Sequence, residues 1–449
     1  MIPVVTPAEM RAIDAAAPEP LDVLIQRAGA AVGRVALRQL GGGYGRRVVV
    51  VAGKGNNGAD GRVAATWLQR RGVRVRLIEA GEVPPVLPAS DLVIDAAYGT
   101  GFRGSYDPPD PAGAPVLSVD IPSGLDASAM VASGHAAGAV VADHVVTFAA
   151  LKPGLLGLEP SQVEVFDIGL DVSSARVHVV EDLDVRSALP ARRRDAHKYD
   201  AAVLVVAGSP GMTGAAALAS TAAMRSGSGY CRLAVPGADL RELPASEVVG
   251  VALEAEGWEN GALRSVERMS AVAIGPGLGR ASSTVRSVRA FVAECPMPLV
   301  VDADALFALG DLEAAAGVLR GRRAATVLTP HDGELTRLTG SVPGADRLSV
   351  ARDTAAATGS TVLLKGPVTV VADPDGDVLV ARGGSSRLAT AGTGDVLTGV
   401  VAAFLAAGLP PRHAAAYAAH VHGAAAQLGW RRGFVAGDLL ELVPRWLSR

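Results

Sequence analysis

Short runs of β-branched residues alternate with Ala-rich stretches along this chain, and they do so in two separate series. Each run has the length of a strand, and each interval has room for a crossover helix, so the pattern predicts parallel sheets. The first series predicts strands at Arg47–Ala52, Val73–Glu79, Leu92–Asp95, Val116–Asp120, Val145–Phe148 and Val163–Asp167. The second predicts them at Ala201–Ala207, Tyr230–Val235, Ala271–Ile274, Leu299–Asp302, Thr326–Leu328 and Thr361–Leu364. Helices over Thr393–Ala407, Pro411–Leu428 and Gly437–Trp446 close the chain. Between the series lies VVEDLDVRSALPARRRDAHKYD, whose polarity and charge suit a linker better than a core. We place the boundary near Leu189 to Asp195. The chain has 449 residues, too many for one ordinary core. It reads as an α/β protein of two tandem domains, 1–190 and 191–449.

Composition narrows the function classes. Net charge is −3, and no Lys/Arg-rich block interleaves with aromatics, so nucleic-acid binding has no footprint. The first residues lack the basic start and apolar stretch of a secretory signal. The longest apolar runs, such as Val48–Ala52 and Val203–Ala207, are broken by Gly well short of membrane-spanning length. Cys231 and Cys295 are the only cysteines, too few for a disulfide framework or a zinc site. A reducing cytoplasm is the expectation, with no membrane partner.

Two polar clusters carry chemistry. In the first, VVAGKGNNGADG reads strand, glycine loop, helix, a junction that opens backbone amides to phosphate. The glycines alone fit any strand-to-helix turn, because neither G-x-G-x-x-G nor a P-loop spacing is present. Asn56, Asn57 and Asp60 can cap the helix or line a cation or ribose site. Asp95 in DAAYGTG and Asp120 in VDIPSGLD end two further strands. Strand carboxyl ends converge on the ligand crevice of an open parallel sheet.

These segments resemble the YjeF N-terminal family, the NAD(P)H-hydrate epimerases. The likeness runs in order through TPAEMRAID, LIQRAG, GKGNNGADG, DAAYGTG, VDIPSGLDA and TFAALKPGLL. It implies a Rossmann-like, three-layer domain with a parallel sheet. It also implies that hydrated NAD(P)H contacts Asn56, Asn57, Gly58, Ala59 and Asp60, then Gly99, Thr100, Gly101, Phe102, Arg103, Gly104 and Ser105, and finally Asp120. A potassium ion held by Asn57, Asp95 and Ser123 belongs to the same implication, since hard oxygen ligands suit it. Asp120 is then the candidate acid/base group, protonating a leaving hydroxyl and deprotonating returning water. Its alternative use is to cap the turn at Ser123–Gly124. Ala59 stands where the family usually carries Gly, so its methyl requires a compatible backbone angle.

The second cluster is AGTGDVLTG at Ala391–Gly399. Gly392 and Gly394 leave amides open at a helix start, where Asp395 can take a proton from a hydroxyl attacking a phosphoryl group. A first-turn Asp also stabilises any helix dipole. The motif resembles the anion hole of ribokinase-like kinases. Its companions, HKYD, GSPGMTGAAALA, GPGLG, DADAL, TPHDGE and LLKGPVTVV, narrow the likeness to the YjeF C-terminal family, the NAD(P)H-hydrate dehydratases.

That likeness implies a ribokinase-like α/β/α domain that uses ADP and releases AMP and phosphate. Lys365, Gly366, Pro367, Val368, Thr369 and Gly394 should contact the nucleotide. Ala215, Gly277, His331 and Asp395 should contact (6S)-NAD(P)HX. Asp302 and Asp304 could support a magnesium site near the phosphates or serve as caps. His331 could equally be a satisfied loop histidine, and Lys365 could pack along its strand end. The two activities would together repair both epimers of the damaged cofactor, and the families imply a homo-oligomer. The rival reading is a small-molecule kinase of ribokinase type fused to a non-catalytic dinucleotide-binding domain. It would keep Asp395 and the anion hole.

Overall fold

The computed structural model describes residues 1–130, 138–239, 241 and 246–449. The chain forms two compact units, Ile2–Val177 and His178–Arg449.

The first unit contains β1 (Ile2–Val4), β2 (Arg47–Ala52), β3 (Arg74–Glu79), β4 (Leu92–Ala96), β5 (Val116–Val119), β6 (His144–Phe148) and β7 (Val163–Phe166). Strands β2 to β7 form one sheet in the order β3-β2-β4-β5-β6-β7, with every pairing parallel. A parallel sheet is covered on both faces, and β2 shows why its sequence is nearly continuous valine. Val48 and Val50 enter one apolar cluster with Leu24, Val32 and Leu68 of the helices Leu21–Leu40 and Asn56–Gln69. Val49 and Val51 enter another, with Val93 and Val116 and, at its margin, Tyr98 and Tyr106. Because all strands run the same way, the segments after β2, β4, β5 and β6 leave from one edge of the sheet. They carry Asn57, Asp120 and Lys152, and Asp95 lies at the end of β4 itself.

The second unit contains β8 (Val177–Val179), β9 (Ala202–Val206), β10 (Tyr230–Pro236), β11 (Val249–Leu253), β12 (Ala271–Ile274), β13 (Leu299–Val301), β14 (Thr326–Leu328), β15 (Thr361–Leu364), β16 (Thr369–Ala372) and β17 (Val378–Ala381). The order is β8-β17-β16-β15-β14-β13-β12-β9-β10-β11. Pairings from β15 through β11 are parallel, whereas β16 and β17 form an antiparallel extension. The helices Thr213–Arg225, Thr393–Ala406, Pro411–Gln427 and Ala436–Leu447 bury Ala-rich faces in one core with the sheet. Small side chains let these helices approach closely, which is why the sequence there is so rich in alanine.

The approach to the expected linker is ordered. Val180 N donates to Val380 O at 2.9 Å, and Val185 of the helix Asp182–Ala188 is fully buried. The compact units therefore divide before the charged stretch, and 190–200 lacks helix or strand. Among the described residues no helix is long and apolar enough to cross a membrane.

Candidate active sites

In the first unit a cavity of about 910 Å³ opens at the carboxyl edge of the sheet. Asn56, Asn57, Asp60, Gly99, Thr100, Gly101, Phe102, Arg103 and Asp120 line it, so three separate sequence clusters converge. Gly58, Ala59, Gly104 and Ser105 do not line it. Gly58 has a backbone task instead, because a Cβ there would lie 1.9 Å from the Gly53 carbonyl oxygen. Ala59 sits within the helix Asn56–Gln69, and its N–H donates to Gly55 O at 3.0 Å. Its backbone therefore has the helical angles that any L-residue adopts. Phe102 lies 4.5 Å from Tyr98, ring centre to ring centre, which places an aromatic face at the cavity.

Asp120 follows β5 with its backbone in the left-handed region, φ 64°. A non-glycine residue adopts that conformation only when its surroundings over-determine it. They do so here. Asp120 N donates to Val146 O at 2.6 Å, and Asp120 Oδ1 accepts from Lys152 Nζ at 2.5 Å and Thr147 Oγ1 at 3.1 Å. Lys152 is almost wholly buried and also donates to Thr147 Oγ1 at 2.8 Å. A carboxylate fixed by a buried ammonium is an anion aimed into the cavity.

Lys152 is a site residue that sequence reasoning left unassigned, although it lies within TFAALKPGLL. Asp14, from the helix Pro7–Ala15, is another. No spacing rule joins either to Asp120, because only the folded chain brings these segments to one cavity.

Asp95 is buried at the end of β4 and accepts from Ser118 Oγ at 2.8 Å, Ser123 N at 2.9 Å and Ser123 Oγ at 2.6 Å. Burial pushes its carboxyl up, against those hydrogen bonds. Asn57 Nδ2 donates to Tyr98 O at 2.9 Å, while buried Asn57 Oδ1 has no hydrogen-bond partner. An orphaned amide oxygen beside the elements that bury an unneutralised carboxylate is a donor set that fits a monovalent cation.

In the second unit Asp395 occupies the first turn of the helix Thr393–Ala406, behind Gly392 at the N-cap with φ 90°. That positive φ is the reason for glycine. Burial, then the charge of Asp302, push the Asp395 carboxyl up to about 6, with Lys365 opposing. Lys365 leaves the end of β15, and its Nζ would lie 3.8 Å from a Cβ at Gly394. The Lys365–Thr369 loop is clamped by Arg347, whose Nη2 donates to Lys365 O and whose Nη1 donates to Asp332, each at 2.8 Å. Within the loop, Thr369 Oγ1 donates to Gly366 O at 3.2 Å, and Val368 is buried.

Ala215 and Gly277 come together, since a Cβ at Gly277 would lie 3.2 Å from the Ala215 methyl. His331 is exposed and caps the helix Asp332–Thr339, its Nδ1 accepting from Gly333 N at 3.0 Å and Glu334 N at 3.2 Å.

Magnesium binding and capping were both open for Asp302 and Asp304, and in this structure each carboxylate has protein partners. Asp302 is buried and saturated, accepting from Lys365 Nζ at 2.9 Å, Thr329 Oγ1 at 2.7 Å and Thr398 Oγ1 at 2.6 Å. Asp304 accepts from Gly279 N at 2.9 Å and Arg280 Nε at 2.8 Å. Carboxylates already engaged by cations and hydroxyls do not fit a divalent ion. Among the described residues no group of three or more His, Cys, Asp or Glu side chains could hold a metal.

Comparison with known proteins covers both units. Residues 203–444 match the NAD(P)H-hydrate dehydratase family, and 21–85 with 78–154 match the YjeF-related protein N-terminus. The bifunctional NAD(P)H-hydrate repair enzyme of Moorella thermoacetica is 36% identical over 98% of this chain and 96% of its own length. That of Mycobacterium tuberculosis is 39% identical over 86% and 84%. The ADP/ATP-dependent NAD(P)H-hydrate dehydratase from Bacillus subtilis, co-crystallized with ATP/Mg2+, superposes with a TM-score of 0.52 at 31% identity, covering 61% of this chain and 98% of that one. The chain therefore belongs to the bifunctional NAD(P)H-hydrate repair enzymes, with a YjeF-related N-terminal part and a ribokinase-like dehydratase part.

Proposed function

We propose that the first unit, Ile2–Val177, equilibrates the R and S forms of NAD(P)HX and that the second, His178–Arg449, dehydrates the S form with ADP, releasing AMP and phosphate. One observation carries the reading. Each unit sets a carboxylate beside a lysine at the carboxyl edge of its own sheet, Asp120 with Lys152 and Asp395 with Lys365.

In the epimerase, the substrate contacts Asn56, Asn57, Asp60, Gly99, Thr100, Gly101, Phe102, Arg103 and Asp120. Asp120, held in place by Lys152, deprotonates the water that returns to the ring carbon. Phe102 offers a face for ring stacking. Asn57, Asp95 and Ser123 would hold potassium, which supplies positive charge to offset the buried Asp95 carboxylate. Exchange of potassium for tetramethylammonium should slow the epimerase and leave the dehydratase unchanged.

In the dehydratase, Lys365–Thr369 and Gly394 hold the nucleotide, while Ala215, Gly277, His331 and Asp395 face the hydrated ring. Asp395 takes the proton of the ring hydroxyl as its oxygen attacks the terminal phosphorus of ADP. Amides at the glycine-opened helix start and the Lys365 ammonium offset the moving negative charge. The ring nitrogen lone pair then expels phosphate, a far better leaving group than hydroxide. Loss of the neighbouring proton restores the reduced ring.

The two cysteines are buried and free, which supports a cytoplasmic place. The family likeness supports a homo-oligomer. The test is to give the full chain a mixture of R and S hydrates with ADP and follow recovered NAD(P)H. Recovery of the whole mixture supports both halves. Recovery of the S fraction alone removes the epimerase, and no recovery removes the dehydratase.

A further inference from the structure

Asp60 lines the same cavity as the Lys152–Asp120 pair, yet its carboxyl is held by nothing comparable. Asp120 accepts from Lys152 and Thr147. Asp60 is 7% exposed, and among the described residues neither a hydrogen bond nor an ion pair reaches its side chain. The two carboxyls also arrive from different places. Asp60 comes from the helix after β2, and Asp120 follows β5, with β4 lying between those strands in the sheet. Burial, then the charge of Asp120, push Asp60 up to about 8. One cavity thus holds a buried carboxyl without a partner and a second that Lys152 and Thr147 fix in place.

The reaction asks for such a pair. When hydroxyl leaves a carbon next to the ring nitrogen, that carbon becomes planar. Inversion then requires water to add from the face opposite the one the hydroxyl left. A carboxyl fixed by its backbone and by a buried lysine serves one face only.

We infer that Asp60 is the second proton carrier of the epimerase, serving one face of the nicotinamide ring while Asp120 serves the other. The inference rests on the epimerase reading above. In one direction the Asp60 carboxyl gives its proton to the departing hydroxyl. The carbon–oxygen bond breaks, water leaves, and the ring nitrogen lone pair forms the carbon–nitrogen double bond. Water then adds at the opposite face, the double-bond electrons return to nitrogen, and Asp120 takes the released proton. The reverse direction exchanges the two roles, and the proton count is unchanged over a round trip.

The experiment uses the full chain without ADP, a single hydrate epimer, and water enriched in oxygen-18. Label incorporation and inversion are followed together, with the uncatalysed background subtracted. In Asp60→Asn only the Asp120 face remains served, so the epimer whose hydroxyl lies on that face exchanges its oxygen with retained configuration. The ratio of label to inversion should rise at least tenfold over the native chain, and Asp60→Glu should bring it back down. An unchanged ratio in Asp60→Asn, with both rates slowed in proportion, overturns the inference and returns Asp60 to a binding role. Native chain that accelerates neither label nor inversion overturns the epimerase reading itself. The thermal midpoint of each variant separates these outcomes from misfolding.

Discussion

Lys152 Nζ stands 2.5 Å from Asp120 Oδ1, joining a lysine that is 1% exposed to a carboxylate that is 18% exposed. The pair bridges the ends of β5 and β6 in the lining of the first cavity. Lys152→Met keeps most of the volume and removes the charge. Epimerase activity should fall on the order of 100-fold, the usual scale of an acid/base contribution. Stability should drop by about 2 kcal/mol, below the full cost of a stranded buried charge because Asp120 retains Thr147 and some solvent. Chemical denaturation and the rate of equilibration of isolated epimers check the two halves of this expectation.

Asp395→Asn removes the proton acceptor at the helix start without changing its shape. Dehydration should fall by roughly 10²–10⁴-fold while ADP still binds. Calorimetric titration with ADP beside a turnover assay decides it, and undiminished turnover would take Asp395 out of the mechanism.

The pH dependence of dehydration follows from the same group. A base must be ionised, and burial with Asp302 holds Asp395 up to about 6. The rate should climb as pH rises through about 6 and level off above it. Asp302→Asn removes a negative neighbour and leaves Lys365 without its 2.9 Å partner. Both changes favour the Asp395 anion, so the acid limb should move to lower pH. A pH–rate profile whose acid limb stays in place would mean that Asp302 serves packing alone.

His422 links pH to stability. Its Nε2 donates to Thr393 O at 2.9 Å, and burial depresses the imidazole from 6.5 to about 4. The unfolded chain binds this proton more readily than the folded one, so the contribution is whole above 6.5 and is lost as pH falls toward 4. Between pH 7 and 5 the loss should be roughly 2 kcal/mol from this residue. His422→Asn should shrink the difference between unfolding midpoints measured at those two values.

Much of the architecture was legible in the residues. The valine runs at Arg47–Ala52, Ala271–Ile274 and Thr361–Leu364 appear as strands with those bounds, because buried parallel strands require unbroken apolar side chains. The closing helices lie within a residue of their expected ends. The antiparallel pair β16 and β17 was not legible. Its strands are short and lie beside a glycine-rich loop, and only pairing to β15 gives them a place. Asn57, Asp95 and Asp120 could be named in advance because each ends or follows a strand, where an open sheet gathers polar groups.

What the sequence determined by itself was the list of chemically able side chains and the strand ends that carry them. Local patterning is enough for that, since strand length and glycine turns act within a few residues. Which groups are charged was decided by tertiary structure. Lys152 becomes the partner of Asp120 only because β5 and β6 pair. Asp302 becomes a buried, fully engaged carboxylate because Lys365, Thr329 and Thr398 close around it from three other elements. Ionisation depends on burial and on neighbours distant along the chain, and these exist only after folding.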